Sequence, residues 1–208
     1  MYSTLGHGWS TLEIVKAVLC LDLRSPLSIR WNAFVPVIMS RITPDQIDRW
    51  AGCAMRHVIL GAYLHTELRH GSNVASLETT ATFTGPPTPS SSTHPSSPRP
   101  SGGPVLSGLG TTAIHAVVLA QLLLDGKDIG QHLFFVPLRY AEAGKLFPAV
   151  TAGDIGPKTY GAFAGLDNSW ARLDDYIIPR ENMFMKHSQV SKVAFTPSLP
   201  ARRCPTSV

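Results

Sequence analysis

Apolar and polar positions follow a helical period in the first quarter of the chain. Thr43-Pro44-Asp45-Gln46 combines a capping threonine, a proline at the first helical position and a glutamine three residues after the cap. This pattern predicts a helix over residues 44–55. Its apolar side chains share one face and its charged side chains the other, with Ile47, Trp50, Ala51 and Ala54 inside and Asp45, Asp48 and Arg49 outside.

Apolar runs of strand length follow this helix. Several are rich in β-branched residues or bounded by turn residues, which favours strands over residues 58–64, 77–83, 116–124, 133–138, 149–152 and 171–178. Asp125-Gly126 separates two of these runs and is typical of a two-residue hairpin, so we expect an antiparallel pair there. The predicted fold class is α+β, a small and mainly-β barrel or sandwich with a helical N-terminal arm.

Residues 84–110 interrupt the pattern. They contain seven Pro, seven Ser and five Gly in 27 positions. Proline removes backbone donors, and serine and glycine bury little apolar area, so the composition indicates a linker without regular structure. We expect this segment to divide the chain into two ordered parts.

Composition narrows the classes of function. The 208 residues are 44% hydrophobic and 15% charged, which is typical of a globular core. The net charge of +4 comes from scattered basic residues, so no nucleic-acid partner is expected. The longest apolar stretch, residues 113–124, is too short for a membrane span. No His, Cys or carboxylate spacing indicates a metal site.

The segment Thr66-Glu67-Leu68-Arg69-His70-Gly71 carries the candidate chemistry. It lies where a strand-like run breaks into a turn, and it offers a hydroxyl, a carboxylate, an imidazole and backbone donors. The pattern fits a ligand site or a solvated turn, and Glu67 with His70 forms an acid/base pair only if both face a cleft. His115, ahead of an apolar run, is expected to be a hydrogen-bonded structural histidine.

Motifs in a fixed order then resemble the middle region of the acyl-CoA oxidases, flavoenzymes of peroxisomal fatty-acid β-oxidation. The resemblance covers about residues 23–193. Its motifs are Gly61-Ala62-Tyr63, Thr66-Glu67-Leu68, His70-Gly71-Ser72-Asn73, Leu77-Glu78-Thr79-Thr80-Ala81-Thr82-Phe83, His115-Ala116-Val117-Val118-Leu119-Ala120-Gln121, Gly153-Asp154-Ile155-Gly156-Pro157-Lys158 and Ile178-Pro179-Arg180-Glu181-Asn182-Met183.

The resemblance implies a domain plan. The family has an N-terminal helical domain, a middle β-barrel and a C-terminal helical bundle. Residues 1–56 would be a remnant of the first, residues 57–193 the middle domain, and residues 194–208 an irregular tail. The C-terminal bundle would be missing from this chain.

The resemblance also implies a function. The family uses FAD to dehydrogenate fatty acyl-CoA at the α,β position to trans-2-enoyl-CoA, and O₂ is reduced to H₂O₂. By position, Thr66, Glu67, Gly71 and Ser107 would be the cofactor-binding residues. The family's catalytic glutamate resides in the C-terminal bundle, so no catalytic residue is assigned to this chain, and we expect the chain alone to be inactive.

Two departures from the family pattern give further expectations. Arg69 replaces a glycine, and a turn that needs a positive φ would be strained by arginine. The family's K-W-W-P-G motif is absent near residues 100–108. Codons for Pro100-Ser101-Gly102-Gly103-Pro104, read two nucleotides later, can encode Lys-Trp-Trp-Pro, which suggests that residues 84–107 are a frameshifted or mis-spliced translation.

Alternatives stay open on the sequence alone. The chain could be a non-catalytic partner of a full-length oxidase, or the product of a gene relic. The family resemblance implies a fatty acyl-CoA substrate. It also implies a homodimer, or a heterodimer with a full-length oxidase. Family resemblance favours the peroxisome, although Pro205-Thr206-Ser207-Val208 is not an S-K-L type signal, and the cytoplasm is the other location considered.

Overall fold

The helical part of the chain comes first in the fold. A computed structural model of the protein describes residues 10–20, 30–56, 58–69, 71, 73–84, 92–96, 101–103, 109–156 and 168–187. Helix α1 spans Thr11–Cys20. A wide π-type turn over Arg30–Phe34 continues into α2 (Val35–Arg41), and α3 (Pro44–Gln46) and α4 (Gly52–Met55) flank a second wide turn over Ile47–Ala51.

The helix predicted over residues 44–55 is confirmed. The Gln46 backbone N–H donates to Thr43 Oγ1 at 3.4 Å, and the Thr43 N–H donates to Gln46 Oε1 at 3.1 Å, which is the reciprocal cap that the sequence indicates. Ala51 and Ala54 are buried, while Asp45 is exposed. The pattern of the sequence did not predict the wide turn over Ile47–Ala51 in the middle of this helix.

In the part of the chain that the structure describes, nine strands follow the helices. Their bounds are β1 Gly61–Leu64, β2 Thr80–Thr84, β3 Ser92–Ser96, β4 Ser101–Gly103, β5 His115–Leu124, β6 Lys127–Pro137, β7 Val150–Asp154, β8 Ser169–Leu173 and β9 Ile178–Pro179. Short 3₁₀ turns span Val74–Ser76 and Arg180–Asn182. Most runs predicted as strands are therefore present with shifted ends. The strand expected over residues 171–178 is instead divided between β8 and β9, which belong to different sheets, and Val58 of the predicted run 58–64 is 50% exposed outside a strand.

Strand β5 is the centre of a six-stranded sheet. It pairs with β6 in the predicted antiparallel hairpin, whose turn residues Asp125 and Gly126 have φ of 50° and 75°. Its other edge pairs in parallel first with β1, from Gly61 opposite His115, and then with β2, from Thr80 opposite Gln121. Strand β3 lies antiparallel to β2, and β9 to β3.

A second sheet of three strands has the order β4-β8-β7. Its residues Val150, Ala171 and Leu173 are buried together with Ala116 and Val118 of β5, so the main core lies between the two sheets. No closed barrel forms among the described residues, which corrects the barrel expectation. The outer edge of β6 is covered by the segment at Met183 and Phe184 instead of by a strand of the second sheet, so the pairing does not continue around a circle.

The expectation of a structureless segment over residues 84–110 is wrong for two stretches. Strand β3 pairs with β2 and β9, and β4 pairs with β8. Composition misled here because sheet pairing uses backbone groups, which serine, threonine and glycine supply as well as apolar residues do.

The helical arm packs on the sheet face that is turned away from the second sheet. Phe34, Ile38, Val117, Phe135 and Phe184 belong to this second core. The Phe34 ring occupies the space where a side chain at Gly61 would begin, since an ideal Cβ there would lie 1.8 Å from Phe34 Cζ. Within the described residues, no helix is long and apolar enough to cross a membrane.

Candidate functional site

The candidate site is a loop, residues 65–79, that leaves the large sheet and returns to it along the same edge. Its first end follows Leu64, which pairs with Val118 of β5. Its second end is fixed where the Gln121 N–H donates to the Thr79 carbonyl at 2.8 Å. The loop therefore lies beside the short stretch of β5 between its β1 and β2 partners.

The carboxylate of Glu67 holds the two ends of this loop together. Its Oε1 accepts from the Thr79 N–H at 2.7 Å, from the Thr79 hydroxyl at 2.6 Å and from the Glu78 N–H at 3.1 Å. Its Oε2 accepts from the Glu78 N–H at 3.1 Å. Because these donors satisfy the carboxylate inside the protein, a side chain that is only 1% exposed keeps its polar partners.

This geometry bears on the possible acid/base pair of Glu67 and His70. The carboxylate of Glu67 points at the backbone of residues 78–79 and does not face a cleft. An acid/base pair required both side chains to face a cleft, and Glu67 does not meet this requirement. His70 lies outside the described residues.

Thr66 and Gly71 lie on either side of this anchor. Thr66 is half-buried, and within the described part of the chain its hydroxyl makes no hydrogen bond. The Gly71 N–H donates to the Glu67 carbonyl at 3.0 Å. Gly71 is exposed with a φ of 53°, a left-handed conformation in which glycine carries no steric penalty.

Arg69 is accommodated in the turn. In the parts of the chain that the structure describes, the non-glycine residues with positive φ are Asp125 and Asp175, so Arg69 avoids the strain expected of a left-handed arginine. Its guanidinium lies 3.9 Å from the Glu78 carboxylate at the surface. An exposed pair at this distance adds little stability.

Two rings pack at the entry to the loop. Tyr63 and His65 stack with ring centroids 4.8 Å apart. Burial raises the pKa of the Tyr63 hydroxyl and lowers the pKa of the His65 imidazole. The residue that precedes Thr66 is thus biased toward its neutral form.

Other groups proposed from the sequence lie apart from this loop or beyond the described residues. Ser107 is outside the described residues. His115 stacks on Phe135 at 4.8 Å, and its buried Nδ1 has no hydrogen-bond partner, which corrects the expectation of a hydrogen-bonded histidine. Over the described ranges, no three His, Cys, Asp or Glu residues are grouped to hold a metal ion.

Sequence reasoning missed Thr79 and Gln121. Thr79 is 0% exposed and supplies two of the donors to Glu67, yet in sequence it is one of several threonines in a strand-like run. The Gln121 Oε1 is buried without a hydrogen-bond partner. No local signal relates either residue to Glu67, since the three meet only through the pairing of β2 with β5.

Comparison with known proteins extends the picture. No family model matches the chain. It is 39% identical over 175 residues to the peroxisomal acyl-coenzyme A oxidase 1 of Bos taurus. The aligned region covers 84% of this chain and 26% of that protein. It is 41% identical over 196 residues to a putative peroxisomal acyl-coenzyme A oxidase 1.2 of Arabidopsis thaliana, covering 89% of this chain and 29% of that protein.

Solved structures agree with these relatives. An acyl-CoA oxidase from Lycopersicon esculentum matches with a TM-score of 0.79 and 38% identity, over 88% of this chain and 28% of its own. Acyl-CoA oxidase-1 of Caenorhabditis elegans, solved in complex with FAD and ATP, matches with a TM-score of 0.76 and 32% identity, over 89% of this chain and 27% of its own. The chain thus spans between a quarter and a third of the length of these relatives, and the resemblance read from its motifs is confirmed.

Proposed function

We propose that this chain, whose sequence and fold neighbours are peroxisomal acyl-CoA oxidases, forms the flavin-binding part of an oxidase of that kind. The observation that carries the proposal is the loop after β1, where the buried Glu67 carboxylate binds the backbone of residues 78–79 next to a Thr66 hydroxyl that has no partner among the described residues. A polar group held rigidly at a strand end is what a cofactor site requires.

The described residues fit a flavin. The Thr66 hydroxyl has no partner within the described ranges, and the buried Gln121 Oε1, next to the loop's return point, has none either. Both atoms have hydrogen-bonding capacity left for a ligand. Thr66, Glu67, Gly71 and Ser107 are the proposed cofactor-binding residues. When bound, FAD would accept the hydride that leaves the acyl chain.

The proposed reaction is α,β-dehydrogenation of a fatty acyl-CoA, with electrons passed to O₂ to give H₂O₂. By resemblance, the base that removes the α proton belongs to a helical bundle, so it would come from outside these 208 residues. We therefore assign no catalytic residue here. The 208-residue chain tested by itself is expected to produce no peroxide.

The remaining assignments follow the same resemblance. We propose that residues 57–193 form the middle domain, that residues 1–56 belong to the N-terminal helical domain, and that residues 194–208 form a tail. We further propose a peroxisomal location, and pairing with a second copy or with a full-length oxidase.

Flavin binding by the purified chain tests the proposal. We expect the 208-residue protein to bind FAD, and Thr66→Ala to weaken binding about fivefold to tenfold, because one hydrogen bond is lost. Thr151→Ala, at an exposed position of β7, is the matched control and should bind as the parent does.

The measurement is flavin fluorescence during titration with FAD. Equal affinity in Thr66→Ala and the parent would refute the role of Thr66. Co-purification with a longer oxidase, without FAD binding by the short chain, would favour the non-catalytic partner instead.

A further inference from the structure

The loop over residues 65–79 leaves β5 and returns to it along one edge, and the Gln131 side chain of β6 also donates to its Val74 carbonyl. Strand β1 ends at Leu64 and β2 begins at Thr80, and both pair with the same strand. Between them, the backbone hydrogen bonds among the described residues are those of local turns, such as the Ser76 N–H to the Asn73 carbonyl at 3.1 Å. Side-chain hydrogen bonds within the loop add to these bonds in holding its shape.

Glu67 and Thr79 supply those bonds. The Thr79 N–H and hydroxyl both donate to Glu67 Oε1, at 2.7 and 2.6 Å. Both residues are almost fully buried, at 1% and 0% exposure. Bonds to a charged acceptor in such a place are stronger than bonds between neutral groups, and they are not weakened by competing water.

Thr79 also connects this pair to the sheet. Its carbonyl accepts from the Gln121 N–H at 2.8 Å, at the point where β2 joins β5. On the other side, Glu67 follows Thr66 directly and its carbonyl accepts from the Gly71 N–H. A continuous path therefore runs from β5 through Thr79 and Glu67 to both ends of the turn at residues 66–71.

We propose that Glu67 and Thr79 form a positioning pair, which fixes the turn at residues 66–71 against β5 and so sets the orientation of the Thr66 hydroxyl. This inference rests on the proposed flavin site. In this proposal Glu67 acts indirectly, because backbone and hydroxyl donors already occupy its carboxylate. The proposal also adds Thr79, to which the motif comparison assigned no role. Both are positioning residues.

Hydrogen exchange of the flavin-free chain tests the pair without reference to any ligand. Thr79→Val removes the hydroxyl donor, and Glu67→Gln removes the negative charge of the acceptor and places an NH₂ donor where Oε2 accepts from the Glu78 N–H. We expect amides in the segment 66–79 to exchange at least about tenfold faster in each variant. Glu78→Gln is the matched control, because the pair uses only the backbone N–H of residue 78. It should leave exchange in the segment near that of the parent.

Two substitutions of Thr79 separate the hydroxyl from the methyl group. Thr79→Ser keeps the hydroxyl and Thr79→Val keeps the shape. A positioning role predicts that serine preserves the slow exchange and valine loses it. Slow exchange in the valine variant and fast exchange in the serine variant would instead show that packing alone holds the loop, and would overturn the proposal.

FAD titration of the same variants completes the test. We expect Glu67→Gln and Thr79→Val to weaken FAD binding about tenfold, with Thr79→Ser close to the parent. If exchange responds as expected but the parent binds no FAD, the pair stands and the proposed function fails. If the parent binds FAD and neither measurement distinguishes valine from serine, the pair is refuted and the function stands.

Discussion

At the scale of single residues, His115 shows how burial alone sets a protonation state. Its ring lies against Phe135 with an interplanar angle of 15°, and its Nδ1 is buried without a partner. Burial lowers the pKa of the imidazole from 6.5 to about 4, because the charged form loses its hydration. The neutral form is therefore the native one at neutral pH.

This lowered pKa gives a prediction about stability. As pH falls from about 6.5 toward 4, the unfolded chain takes up a proton at His115 before the folded chain does, so the free energy of unfolding decreases. Between pH 7 and pH 5 this residue should account for a loss of about 1 to 2 kcal/mol. His115→Phe keeps the ring stacking and removes the titration, so it should reduce the pH dependence by that amount.

Urea unfolding at both pH values measures the effect. The comparison is the change between pH 7 and pH 5 within each protein, which cancels any packing cost of the larger ring. An unchanged pH dependence in the variant would show that His115 is not the responsible group.

At the scale of elements, Gln46 joins the helical arm to the far end of the described chain. Its Nε2 donates to the carbonyls of Glu181 and Met183, at 2.8 and 2.6 Å. Its Oε1 accepts from the N–H of Thr43 and of Met185, at 3.1 and 3.4 Å. All the hydrogen-bonding capacity of the amide is used, at a residue that is 6% exposed.

Replacing this amide by a carboxylate should loosen the junction. Gln46→Glu keeps the acceptor for the helix cap but removes both donors and brings a negative charge near two carbonyls. We expect a loss of about 2 kcal/mol or more in the free energy of unfolding. Gln131→Glu is the matched control, since its Nε2 donates to the Val74 carbonyl at an exposed position, and it should cost less than about 0.5 kcal/mol.

Chemical denaturation of both variants measures the two losses. Equal small losses would show that the contacts of Gln46 with residues 181–185 contribute nothing beyond a surface hydrogen bond.

At the scale of the whole molecule, the segment between β2 and β5 is where the sequence lacks the family's K-W-W-P-G motif. Codons exist for residues 89–104, PSSSTHPSSPRPSGGP, whose reading from the third base of codon 89 gives FILHTPILTASKWWP. That alternative product is an apolar, strand-like stretch followed by the family's K-W-W-P motif. Strands β3 and β4 lie within this segment and pair with β2, β9 and β8.

Sequencing the transcript across codons 77–208 tests whether residues 84–107 are a frameshifted translation. Relative to a message that encodes Lys-Trp-Trp-Pro in frame, we expect a frame-shifting insertion or deletion before the third base of codon 89 and a compensating one between codons 104 and 108. Codons that exclude the shifted reading would instead establish residues 84–107 as a genuine insertion.

Elements that depend on neighbouring residues can be predicted from the sequence alone. The cap at Thr43, the hairpin turn at Asp125-Gly126 and the helix over residues 44–55 follow from local sterics and side-chain spacing, and each is present in the structure. The order of motifs likewise determined the resemblance to the acyl-CoA oxidases.

The remaining features depend on contacts between residues that are distant in sequence. Glu67, Thr79 and Gln121 are far apart in sequence, and they meet because β1 and β2 pair with one edge of β5. The same long-range pairing explains why the strands form two sheets and no closed barrel among the described residues. It also explains why strands form in a proline- and serine-rich segment. Such pairing joins backbone groups from distant positions, which leave no periodic trace along the chain.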